Sequence, residues 1–202
     1  MLNVLRPLIG RVAKPVAGRL LRAGVSPDAV TVIGTVGVSA GALVFLARGM
    51  FLIGTVVAFL SVLTDMLDGA MARERGTSSR FGAWLDSTCD RVADAAVFCS
   101  LAWWFTGRGD DRLLAAVTLY CLVAGVVVSY AKARAEGLGL RCDVGIAERS
   151  ERLTLVLLGT LLVGLGAPDV VLTALLWLLV VLTTITVGQR AVEVRRQAAA
   201  AA

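Results

Sequence analysis

The sequence predicts an all-α integral membrane protein, with six transmembrane helices preceded by an N-terminal amphipathic juxtamembrane helix. Three observations predict it. The 202 residues are 57% hydrophobic and only 17% charged, with mean hydropathy +0.81, more apolar surface than a soluble domain of this size can hide. Six apolar runs of helical length follow one another at roughly 29–48, 51–73, 82–106, 112–135, 152–166 and 169–190. The cations are also unevenly divided between the two ends of those runs.

Residues 1–23, "MLNVLRPLIGRVAKPVAGRLLRA", alternate apolar clusters with single cations. Despite Pro7 and Pro15 this reads as a broken amphipathic helix lying on an anionic leaflet, the alternative being a loose basic tail. "GVSP" then breaks the chain, with Ser26 as a cap and Pro27 at a helix start. Every run but the fifth reaches the ~20 residues that span a bilayer as helix. The fifth is short unless its charged flanks are helical too. With a cytoplasmic N-terminus, the outer connections hold only Arg48, Arg108 and Arg112, and the other 17 of 20 Lys and Arg lie on the inner side. That asymmetry places both termini in the cytoplasm and the protein in the cell membrane. A single domain over 1–202 is expected: the juxtamembrane segment 1–23, a six-helix domain 24–197 and an alanine tail 198–202.

The net charge of +5 then reports topology and contact with anionic headgroups rather than nucleic acid. Cys89, Cys99, Cys121 and Cys142 form no CxxC pair and read as reduced, mostly apolar-packed thiols. The absence of histidine excludes a histidine base, imidazole metal ligands and a Ser-His triad. Acid–base or metal chemistry must therefore use carboxylates, which favour hard ions such as Mg2+ or Mn2+.

Carboxylates are placed where apolar helices should avoid them. Asp65 and Asp68 are i and i+3 near the inner end of the second run; Asp86 and Asp90 are i and i+4 near the inner start of the third. Each pair shares one helix face, and a tight turn around "RGTSSRF" would bring the two faces together. Four converging carboxylates need cations between them. Two divalent ions bridging a phosphate substrate would serve. A solvated rim paired with Arg73, Arg75, Arg80 and Arg91 is the plainer alternative. The small residues Gly69, Ala70, Ala72, Gly82 and Ala83 favour close approach of a ligand or a neighbouring helix.

The full pattern, Asp65-x-x-Asp68-Gly69-x-x-Ala72-Arg73, eight residues, Gly82-x-x-x-Asp86-x-x-x-Asp90, resembles the signature of the CDP-alcohol phosphatidyltransferases at all eight specified positions. The resemblance implies six membrane helices, a cytoplasm-facing cavity for a CDP-linked lipid, and a homodimer. It implies that Asp65, Asp68 and Asp86 hold divalent metal on the diphosphate. Asp90 shares the second ion and deprotonates an acceptor alcohol, which attacks the β-phosphoryl group and expels CMP. Gly69, Ala72 and Gly82 leave room for the nucleotide, and Arg73 neutralises phosphate. The stretch "SPDAVT" matches the family's segment before the first membrane helix, which puts Asp28 and Thr31 at the nucleotide, although many members carry Asn at the Asp28 position. Asp94 continues the stripe outside the signature and reads as a supporting residue.

The segment 129–153, "SYAKARAEGLGLRCDVGIAERSERL", carries a second pattern. Ser129 and Lys132 near the end of the fourth run, Arg152 at the start of the fifth and Arg190 at the end of the sixth deliver cations from three helices to one membrane face. Together they suit a phosphate dianion; the alternative is ordinary snorkelling of inner-face cations. A phosphate on the acceptor excludes free inositol, serine and ethanolamine, and leaves inositol phosphate or glycerol 3-phosphate. "SYAKARAE" and "ERSERL" resemble the actinobacterial branch of the family that uses inositol 1-phosphate (D-myo-inositol 3-phosphate), so phosphatidylinositol phosphate is the expected product and phosphatidylglycerophosphate the second candidate. A cation transporter with intramembrane carboxylates, or a scaffold with a vestigial site, is the reading from another class. Against transport, the carboxylates lie at one end of consecutive helices rather than near the midplane of repeated halves.

Overall fold

The computed structural model describes residues 15–75 and 79–200; the side chains of Asp65, Met66, Asp68, Ala72, Arg73 and Arg75 lie outside that description. All regular structure among the described residues is helical. Residues 15–22 form helix α1; residues 1–14 of the expected juxtamembrane segment lie outside the described residues. Six longer helices follow: α2 (Pro27–Val44), α3 (Phe51–Arg75), α4 (Arg80–Thr106), α5 (Arg112–Glu136), α6 (Arg149–Gly164) and α7 (Val170–Ala200).

Local chemistry sets their ends. Ser26 caps α2 by accepting from the Ala29 amide at 3.2 Å, with Pro27 at the first helical position. Ser79 caps α4 through the Gly82 amide (2.8 Å), and Asp111 caps α5 through the Leu114 amide (2.8 Å). A short 3-10 turn, Leu46–Arg48, closes on Gly49 at φ +77° before α3 begins.

Two boundaries differ from expectation. The charged flank "RSE" is helical, so α6 starts at Arg149 rather than near 152. α7 continues ten residues past 190, because 191–200 are mostly strong helix formers and Glu193 pairs with Arg196 one turn on (2.8 Å). Arg190, expected at a helix end, therefore sits inside a helix. Residues 198–200 of the alanine tail continue α7, and 201–202 lie outside the described residues.

The six long helices close a ring in which each packs on two neighbours, in the order α2, α3, α6, α7, α5, α4 and back to α2. Its interior is apolar: Val38 and Ala42 of α2, Val97, Phe98 and Leu101 of α4, Cys121 of α5, Val156 of α6, and Leu172, Leu176 and Leu179 of α7. Several buried hydroxyls are satisfied, Thr118 and Thr183 donating to carbonyls four residues back at 2.7 Å and Thr55 of α3 pairing with Thr160 of α6 at 2.6 Å, whereas Ser39 and Ser100 Oγ are buried without a hydrogen-bond partner. A second small core, Ala17, Val30, Ala70 and Met71, seats α1 against the start of α2 and the end of α3.

Large apolar side chains such as Trp103, Val123, Val170 and Val181 lie exposed on the outside, as a lipid-facing wall requires and a soluble protein would avoid. Among the described residues four helical stretches are long and apolar enough to cross a membrane: Pro27–Arg48, Phe51–Met71, Arg112–Glu136 and Val170–Ala200. The expectation of six is met to that extent. α4 carries Asp86, Asp90, Arg91 and Asp94 in its first half, and α6 has 16 residues, about 24 Å against a ~30 Å hydrocarbon core.

Candidate active site

Successive long helices run in opposite senses, so the start of α2, the end of α3, the start of α4, the end of α5, the start of α6 and the last third of α7 share one end of the ring. The ion pairs of Asp90, Asp94, Lys132, Arg149, Arg152 and Arg190 lie at that end.

Asp86, Asp90 and Asp94 follow each other at helical spacing down one face of α4. Their burial is graded: Asp86 is exposed, the Asp90 side chain is 18% exposed and that of Asp94 9%. The Asp90 carboxylate meets the Arg149 guanidinium at 2.6 Å and Arg91 at 3.4 Å. Arg149 also reaches Asp94 (3.3 Å), whose second oxygen takes Arg152 at 3.1 Å. On α3, Asp65, Asp68 and Gly69 lie in continuous helix. Counted along the helices, Asp65 and Asp68 are roughly 10–15 Å from the end of α3, and Asp86 and Asp90 roughly 9–15 Å from the start of α4, on two helices that both pack against α2. The carboxylates of Asp65 and Asp68 and the side chains of Ala72 and Arg73 lie outside the described residues. Among the described residues no three carboxylates or cysteines are grouped as a metal cluster.

The start of α2 adjoins this face. A Cβ on Gly82 would stand 3.3 Å from Asp28 Oδ1 and 3.0 Å from Ser79 Oγ, so Asp28 lies directly over the first turn of α4. Thr31, one turn further along α2, is buried, and its hydroxyl donates to the Pro27 carbonyl at 3.2 Å.

The residues expected to read an acceptor phosphate lie around one strap, the 137–148 connection between α5 and α6. Arg190, 3% exposed, donates from Nε to the Val144 carbonyl (2.9 Å) and from Nη1 to the Val128 carbonyl, and reaches Glu148 at 3.7 Å. Arg152, 2% exposed, donates to the Ala147 carbonyl at 3.3 Å. Lys132 meets Asp143 at 2.6 Å, and its ammonium holds the Asp143 carboxyl below the usual carboxylate range. The Ser129 hydroxyl donates to the Gly125 carbonyl at 3.1 Å. The four residues are thus brought into one neighbourhood, but the three cations carry protein partners. Lys132 and Arg190 pair with carboxylates on the strap or at its end, whereas Arg152 is committed to Asp94.

Three features were missed by sequence reasoning. Arg149, which bridges Asp90 and Asp94, was readable only as the residue one helical turn before Arg152. Asp143 and Glu148 were not foreseen as partners of Lys132 and Arg190. Thr186 accepts hydrogen bonds from the Ile146 and Ala147 amides, at 3.2 and 3.0 Å, and nothing in the apolar context of α7 marked it.

An all-helical ring with a carboxylate stripe, a glycine facing Asp28 and helix-borne cations around a strap at one end suits a phosphate-bearing substrate at a membrane face. Residues 24–185 match the CDP-alcohol phosphatidyltransferase family, and the chain belongs to it. It is accordingly an enzyme of that class, which sets aside the transporter and scaffold readings. It is 50% identical to the phosphatidylinositol phosphate synthase of Streptomyces avermitilis, over 97% of this chain and 83% of that protein. Among solved structures it is similar to the Mycobacterium tuberculosis phosphatidylinositol phosphate synthase with CDP-DAG bound, at 49% identity and TM-score 0.88, covering 91% of this chain and 94% of that one. The same mycobacterial enzyme in complex with manganese and citrate matches at TM-score 0.87, covering 90% and 88%.

Proposed function

We propose that this protein transfers the phosphatidyl group of CDP-diacylglycerol to inositol 1-phosphate (D-myo-inositol 3-phosphate), giving phosphatidylinositol phosphate and CMP. The observation that carries the reading is the graded stripe of Asp86, Asp90 and Asp94, set between the Asp28–Gly82 contact on one side and the strap cations on the other. Similarity to synthases of that name supports the inositol phosphate acceptor.

Asp65, Asp68, Asp86 and Asp90 would hold two divalent ions, Mg2+ or Mn2+. The donor set fits: it offers carboxylate oxygens alone, in a chain without histidine, from two helices that flank α2. Such ions, when bound, neutralise the charge that gathers on the departing nucleotide phosphate. Asp28, Thr31, Gly69, Ala72, Arg73 and Gly82 would bind the CDP-lipid: Gly82 keeps the gap beside Asp28 open and Arg73 meets phosphate.

Asp90 takes the proton from the acceptor hydroxyl as that oxygen forms its bond to the β-phosphorus and the bond to CMP breaks. A carboxylate is the available base where histidine is absent. Ser129, Lys132, Arg152 and Arg190 would read the acceptor's phosphate. Lys132 and Arg190 can exchange their present carboxylate partners for it, and the half-exposed Lys132–Asp143 pair is inexpensive to part. Arg152 would contribute its charge from behind. We place the protein in the cell membrane as a six-span homodimer with the site and both termini on the cytoplasmic side, in line with the cation asymmetry.

The test is an acceptor competition. Purified protein with CDP-diacylglycerol and Mg2+ is given labelled inositol 1-phosphate, glycerol 3-phosphate or free inositol in turn, with Asp90→Asn as control. Lipid product from inositol phosphate alone, lost in the control, is expected. Product from glycerol 3-phosphate instead would keep the transfer chemistry and overturn the acceptor.

A further inference from the structure

The carboxylate stripe on α4 does not end at Asp90. We infer that Asp94, locked by Arg152 and by the absence of a side chain at Gly125, is a positioning residue for Asp90, acting through Arg149. This inference rests on Asp90 being the base.

Asp94 is 7% exposed, and both its oxygens are used: Oδ1 accepts from Arg149 Nε at 3.3 Å and Oδ2 from Arg152 Nη2 at 3.1 Å. Arg149 spans one turn of α4, because its Nη1 also reaches Asp90 Oδ1 at 2.6 Å. One planar guanidinium thus joins two carboxylates a helical turn apart, and fixing Asp94 limits where the far end of that guanidinium can lie. A rigid fork transmits such a constraint; a flexible ammonium would not.

Arg152 is fixed in turn. Its Nη1 donates to the Ala147 carbonyl, and it lies flat against Gly125 of α5, where a Cβ would stand 2.9 Å from Nε and 3.3 Å from Cζ. Its Nε is buried without a hydrogen-bond partner, so packing rather than bonding holds that edge. In the cluster two carboxylates, Asp90 and Asp94, are shared by Arg149 and Arg152, with Arg91 at the rim on Asp90. Removing one member would leave a buried charge uncompensated, so the arrangement has few alternatives. Asp94 meets Arg149 and Arg152. Acting through Arg149 it sets kcat, whereas acting through Arg152, assigned above to the acceptor's phosphate, it would raise the acceptor KM instead, so the two routes are separable.

The experiment measures kcat, both KM values and the unfolding midpoint of full-length Asp94→Asn, Arg149→Lys and the double variant. Wild type and Asp90→Asn are run alongside. Asp94→Asn is expected to lower kcat by about ten- to a hundredfold, the range in which loss of a supporting partner costs an active site its alignment, with both KM values within twofold. The double variant should be no slower than Arg149→Lys alone, since both substitutions break one chain of contacts. Additive losses, a raised acceptor KM at unchanged kcat, or wild-type kcat would overturn the inference. If Asp94→Asn does not fold, Asp94→Glu is read in its place, because it keeps the cluster's charge and displaces the carboxylate that fixes Arg149. Should wild type transfer nothing, or Asp90→Asn remain active, the failure lies with the proposed function instead.

Discussion

Thr186→Val keeps the shape of a fully buried side chain and deletes its hydroxyl, which ties the 137–148 strap to α7. Two donors lose their acceptor. The Ala147 amide is buried, and orphaning it costs about 1–3 kcal/mol; the Ile146 amide is partly buried and its bond contributes about 0.5–1.5 kcal/mol. Arg190 still holds the Val144 carbonyl and Arg152 the Ala147 carbonyl, so a net loosening of about 2 kcal/mol is expected. That corresponds to about thirtyfold in the local opening equilibrium. Amide hydrogen exchange at Ile146 and Ala147 in detergent should accelerate by that factor. CMP release at varied inositol phosphate should show the acceptor KM raised by up to the same factor, with the KM for CDP-diacylglycerol unchanged. Faster exchange with an unaltered acceptor KM would refute the link between the strap and the acceptor site.

Other outcomes follow from the same geometry. A methyl at Gly164 would meet the backbone of Leu52, standing 2.8 Å from its Cα; Gly164→Ala should cost about 1–3 kcal/mol, seen as a lower unfolding midpoint with unchanged activity per folded molecule. Gly82→Ala narrows the gap beside Asp28 to 3.3 Å and should raise the KM for CDP-diacylglycerol about tenfold at unchanged acceptor KM, whereas Asp28→Ala with intact lipid affinity would remove Asp28 from the site. The Asp143 carboxyl is held low by Lys132. Whatever the pair adds to strap order is therefore complete above the ordinary carboxylate pKa of about 4 and is lost as pH falls through the depressed value. Exchange protection of the strap should be flat from pH 8 to 5 after correction for intrinsic rates. A decline within that window would assign it to another group.

Much of this protein was legible in its residue order. Six helices could be placed because six apolar runs are separated by charged or polar connections, with Ser26–Pro27 marking the first start; the structure adds the caps at Ser79 and Asp111. Such runs and breaks act locally, so they can be read locally. Asp65, Asp68, Asp86 and Asp90 stood out for a related reason, since carboxylates in an apolar helix require an explanation that the chain's spacing itself supplies. Tertiary structure decided what spacing cannot reach. Asp94 and Arg152 are 58 residues apart and Arg190 and Val128 are 62 apart, and their meeting depends on which helices the closed ring makes neighbours. The cations at 132, 152 and 190 looked alike along the chain, yet Lys132 is half-exposed on a carboxylate, Arg190 clamps a strap, and Arg152 lies buried on Gly125 and Asp94. A charge's role is set by its desolvation and by the partner that compensates it, and both are properties of the packed ring rather than of the sequence position.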